Sequence, residues 1–170
     1  MTYICGMNTF EEWVRKIVDA DELCASYYKK VSKAMSNKQL IDIAMDSNGM
    51  SYLCEMEQKG LDLPYQIIMN RFRPFINGRY VSEHKTKDGD TYTSAIYCCY
   101  NDDIIANTTL LTVLGVEANI CVSKNNCCTI YVDKHSKVTI TCPVGSCADV
   151  YYWCDEEPDY SGNVKLIRMK

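Results

Sequence analysis

Eleven of the 170 residues are cysteine, and the spacing of those thiols decides which chemistry is open to them. Structural zinc sites pair their ligands two to four residues apart, twice over, with histidine filling the gaps. No C-x-x-C occurs: Cys142 and Cys147 are separated by four residues, and His84 and His135 are the only histidines. A cysteine nucleophile needs a thiolate beside a base. His135 is the one histidine close in sequence to Cys127 or Cys147, yet it holds a turn slot that glycine or asparagine holds in neighbouring segments. There is no G-x-S-x-G, phosphate loop or dinucleotide fingerprint. Asp102 and Asp103, and the acidic stretch from Asp155 to Asp159, could hold calcium loosely, but carboxylates in such loops are usually just solvated. The sequence therefore predicts no catalytic residue, no metal site and no cofactor.

The cysteines fit a packing pattern better than a reactive one. From Val113 to Tyr152 the chain divides into four superimposable blocks of ten: VLGVEANICV, SKNNCCTIYV, DKHSKVTITC and PVGSCADVYY. The sixth, eighth and tenth positions are small or β-branched and mostly apolar. They are Ala118, Ile120 and Val122; Cys128, Ile130 and Val132; Val138, Ile140 and Cys142; and Ala148, Val150 and Tyr152. Three alternate positions make one face of a short strand. Cys128 and Cys142 thus stand where other blocks have alanine or valine.

A ten-residue strand-and-turn cannot bury its apolar face alone, so the blocks must pair and stack on one another. Two arrangements do this. In a β-solenoid, successive strands lie on different faces of a coil, with Gly115, Asn125, His135 and Gly145 at its corners. In an antiparallel meander the same turns become hairpins. Small residues at the sixth position suit a narrow interior, and the solenoid is preferred. The outward positions then offer an interaction surface built from Thr129, Tyr131, Thr139, Thr141, Tyr151 and Trp153, although aromatics half-buried under a helix would give the same pattern.

The elements that position this repeat are expected to be of two kinds. Thr9 and Glu12 form a capping box, and the apolar series Phe10, Trp13, Ile17, Ala20, Cys24, Tyr27, Val31 and Ala34 draws a seam along one long helix, or along two if Asp19 and Asp21 cap a break. Shorter helices fit the segments around Leu40 to Met45, Met50 to Lys59, and Pro64 to Phe72. Asn77-Gly78 marks the change to strand patterning. Arg79 to Lys85 and Thr91 to Tyr100 form a hairpin around Lys87-Asp88-Gly89-Asp90, and Thr108, Leu110 and Thr112 suggest a weaker, earlier repeat. The predicted fold is α+β: a helical region of three or four helices over 1–76, a hairpin and connector over 77–102, and a β-repeat domain over 103–170.

Composition narrows the partners. The chain is 47% hydrophobic with a net charge of −4 and a pI near 5.2, so its overall balance attracts neither nucleic acid nor an anionic membrane. Lys29, Lys30 and Lys33 cluster on a predicted helix, with Arg71 and Arg73 beyond. Asp42, Asp46, Glu55, Glu57 and Asp62 share the region and would repel phosphate. A nucleic-acid-associated regulator using these helices is the alternative reading. The opening MTYICGMNTF has no basic n-region or signal-length apolar run, which predicts a cytoplasmic, reducing setting with no membrane span. An oxidising setting would return Cys98/Cys99 and Cys127/Cys128 to consideration. The functional expectation is a non-enzymatic binding or assembly module, self-associating or docking a protein partner. Such a fold suits a phage particle, a mobile-element inhibitor or a housekeeping scaffold equally well.

Overall fold

The computed structural model describes residues 79–86 and 88–170, together with Lys29, Lys30, Lys33, Gln39 and Cys54. This part is 55% strand and 5% helix, the helix consisting of those five residues. The α+β expectation is therefore corrected: the described chain is all-β, with a β-solenoid-like arrangement. From Arg79 onward the apolar residues recur with period two, and that alternation makes strands. The segments assigned to the N-terminal helices otherwise lie outside the described residues.

Ten strands follow one another: β1 (Arg79–Lys85), β2 (Thr91–Cys98), β3 (Ile104–Ala106), β4 (Leu110–Leu114), β5 (Glu117–Val122), β6 (Cys127–Val132), β7 (Lys137–Thr141), β8 (Cys147–Tyr152), β9 (Asp159–Ser161) and β10 (Val164–Arg168). They form a six-stranded sheet, ordered β1-β2-β4-β6-β8-β10, and a four-stranded sheet, ordered β3-β5-β7-β9. From β2 onward the chain alternates between the sheets, and every pairing except β1 with β2 is parallel. Parallel pairing excludes the meander. Each ten-residue block is one strand and one turn, and two blocks complete a coil. Cys127 accordingly lies beside Cys147, and Glu117 beside Lys137.

The coils are not uniform. The inner register steps by nineteen from Leu110 to Thr129 and by twenty from Glu117 to Lys137, but the first and last steps are sixteen, as in Ser94 to Leu110 and Ala148 to Val164. Shorter turns at the ends draw those coils tighter.

The core lies between the sheets as columns of side chains running across the strands. Ala95, Leu111, Ile130, Val150 and Leu166 form one column on the six-stranded sheet, and Ile104, Ile120 and Ile140 form one opposite it. Of the twelve inward positions read from the four blocks, eleven are buried and Ala118 is partly buried against the same core. Three of the four corner positions, Gly115, Asn125 and Gly145, adopt positive φ (59°, 62° and 89°), which glycine and asparagine tolerate best. His135 does not share that conformation. Its turn is held by side chains instead: Ser136 donates to the Asp133 carboxylate, which is fully buried.

Candidate functional site

Because successive blocks alternate between sheets, the six residues expected to share one outward surface are divided. Thr139 and Thr141 project from the four-stranded sheet and are exposed. Thr129, Tyr131 and Tyr151 belong to the other sheet and Trp153 follows directly after β8, and Tyr131 lies near Tyr151 (5.5 Å between ring centres) and Trp153 (6.4 Å). Tyr131 and Trp153 are only 9% and 4% exposed, so this aromatic cluster is a packing face. Burial pushes the Tyr131 phenol up, with Tyr151 and then Cys54 adding to the effect. Cys54 is itself fully buried.

The exposed outer face of the four-stranded sheet is polar. Asn119, Thr139 and Asp159 follow one another in register, and Asn119 donates to Asp103 at 3.0 Å. Glu117, Lys134, Lys137, Glu157 and Asp159 line a cleft of about 570 Å³ beside it. Its charges are mixed in sign, and no cluster of metal-ligating side chains exists among the described residues. Asp102 and Asp103 are exposed, with the Asp103 N–H donating to the Asp102 side chain at 2.8 Å. Lys29, Lys30 and Lys33 are exposed, whereas Arg71 and Arg73 lie outside the described residues.

The sulfur chemistry is sorted by strand face. Cys128 and Cys142 point into the core, and burial, followed by the nearby Cys142, pushes the Cys128 thiol up to about 12. Cys127 and Cys147 point outward from adjacent strands at paired positions and form a disulfide, with Cα atoms 4.7 Å apart. The bridge closes a loop across a sequence separation of 20. In the chain-entropy picture, that closure stabilises the fold by about 3 kcal/mol. His135 lies in the turn after β6, at the far end of that strand from Cys127, so the histidine–cysteine pair is not brought together. The bridge went unread in the sequence although its signal is there. Both cysteines hold the fifth position of their blocks, two blocks apart, which is one full coil.

Among the described residues, β9 and β10 are the outermost strands at one end of their sheets. Tyr160 continues the Ile104, Ile120, Ile140 column but is 52% exposed, and Val164 and Leu166 on β10 are half-buried. β10 is the last strand of its sheet, and residues 164–170 carry Lys165, Arg168 and Lys170 with no acidic residue.

No protein-family model, curated protein or solved structure matches this chain.

Proposed function

We propose that this chain is a non-enzymatic β-solenoid module that docks a protein strand on its C-terminal rung. The observation that carries the reading is the core's edge there: a column buried to about 1% at Ile104 and Ile120 ends in a half-exposed Tyr160, beside a strand that among the described residues pairs on one side only, with β8. An exposed edge is a template for main-chain pairing, and a strand laid on it would gain hydrogen bonds and cover apolar surface together. Charge selects the occupant. Two copies of β10 set side by side would bring Lys165 and Arg168 against their own kind, which is unfavourable, whereas an acidic segment would be complementary. The non-enzymatic part of the reading rests on the separation of His135 from Cys127 and on the mixed charge of the polar cleft.

The test is titration with an extended peptide of alternating valine and glutamate, followed by amide hydrogen exchange. Protection gained at residues 164–168, and lost in a Lys165→Glu/Arg168→Glu variant, is the expected result. Equal protection by a valine–lysine peptide would remove the charge argument. Absence of protection with either peptide, from a chain that also stays monomeric in sedimentation at high concentration, would remove the docking reading.

A further inference from the structure

The Cys127–Cys147 bridge is placed for exchange as well as for cross-linking. Cys127 is exposed and Cys147 half-buried, and both line an open cleft of about 500 Å³ with Pro143, Gly145 and Gly162. An incoming sulfur therefore has room to approach along the bond. The other thiol on that cleft, Cys142, is 5% exposed, and burial pushes it up, so it stays protonated and does not compete. Cys128, one residue from the bridge, faces the core. One outward pair able to exchange and one inward pair unable to do so lie within a single corner of the solenoid.

We propose that Cys127–Cys147 is a reversible thiol–disulfide exchange site whose co-substrate is a small or protein-borne dithiol, and that its state sets how firmly the β6 and β8 coils are held together. A thiolate of the dithiol attacks Sγ of the exposed Cys127. The bridge breaks, its electron pair leaves on Sγ of Cys147, and that sulfur takes a proton from water. The dithiol's second thiolate then attacks the dithiol sulfur bonded to Cys127, closing the dithiol's disulfide and releasing Cys127 as a thiolate. The dithiol is oxidised to a disulfide by two electrons, and the protein is reduced by two. Loop-closure entropy returns to the unfolded chain when the bridge opens, so the reduced protein melts lower.

The experiment incubates the native chain with dithiothreitol at neutral pH, blocks free thiols with an alkylating agent, and maps the labels by mass spectrometry. Cys127 and Cys147 should gain label together while Cys128 and Cys142 remain unlabelled. Oxidised dithiothreitol should reverse the change. The melting temperature should fall by on the order of 10 °C on reduction, and a Cys127→Ser/Cys147→Ser variant should melt at the reduced value whatever the redox conditions. Three results would each overturn the proposal: a bridge that opens only in denaturant, full labelling of both cysteines before any reductant is added, or a melting temperature indifferent to reduction. If the double variant does not fold, the reversible titration of the unaltered chain decides alone.

Discussion

Asp133 and Gly115 join neighbouring coils at one corner: both carboxylate oxygens of Asp133 accept the Gly115 N–H, at 3.0 and 3.1 Å. Ser136 donates to the same carboxylate and accepts the Val116 N–H at 3.0 Å. A fully buried carboxylate is tolerable only when its lone pairs are used in this way. Asp133→Ala would leave the Gly115 N–H and the Ser136 hydroxyl without this acceptor. The expected loss is about 2–4 kcal/mol, read as a lower urea midpoint, with Ser136→Ala costing about half as much. A midpoint unchanged in Asp133→Ala would mean that the corner does not depend on this carboxylate.

Ile104 and Ile105 are adjacent in β3 yet 1% and 68% exposed, because alternate residues of a strand face opposite sides. Ile104→Ala should cost about 2–4 kcal/mol, whereas Ile105→Ala should stay within roughly 0.5 kcal/mol of the parent. Chemical denaturation of the pair checks the register of the first coil directly, and equal losses would argue for a different one.

Gly162 and Gly89 share nearly the same backbone angle, at φ 87° and 92°, but not the same surroundings. A Cβ on Gly162 would meet the Cys142 carbonyl oxygen at 2.0 Å, while one on Gly89 would meet nothing within 4 Å. Gly89→Ala should therefore cost only its conformational penalty of about 1–2 kcal/mol. Gly162→Ala should cost several kcal/mol more, since backbone must move, and thermal melts of the two variants separate the effects.

Alkaline stability should carry the signature of Cys128. Its folded thiol is pushed from the ordinary 9.0 to about 12, chiefly by burial. The folded state keeps the proton that the unfolded state releases, so this contribution is whole below pH 9.0 and is lost as the pH rises towards 12. Within that window the thiol alone should lower stability by about 1.4 kcal/mol per pH unit. Cys128→Ala, which puts at this position the residue that its register partner Ala148 already is, should flatten the urea midpoint's dependence on pH by that amount. An identical slope in the variant would place the effect on other groups.

The alternation Cys128, Ile130, Val132 and its three sister triplets made the core legible in the sequence, because inward small residues leave a period-two mark that composition cannot hide. The corner glycines and Asn125 were legible for a related reason, since positive φ restricts which residues fit. What did not show was the path between blocks. A strand's sequence records which of its faces is buried but not which sheet it joins, so Thr139 and Tyr131 looked like members of one surface and belong to two. The earlier coil, with Leu111 and Val113 on β4 and Ala95 and Tyr97 on β2, was only faintly visible: its register step of sixteen breaks the ten-residue phase. Tyr131 and Trp153 were ambiguous from the start, because an aromatic under a covering segment and one awaiting a partner have the same spelling. For the described chain, the helical periodicity read before Gly78 led to an α+β fold class that strand patterning after it does not support.

The bridge between Cys127 and Cys147 also bears on how the molecule would respond to force. Parallel rungs stacked along one axis peel from their free end, each strand shedding its ladder bonds in turn. Tension applied at Lys170 would strip β10, β9 and β8 and then meet a covalent link at Cys147, after freeing the 23 residues between 147 and 170 (170 − 147). Fully extended, that length is about 80 Å. With the disulfide closed, the pull would pass through the bridge to Cys127 and leave the residues between 127 and 147 shielded, and with it open the unravelling would run through them.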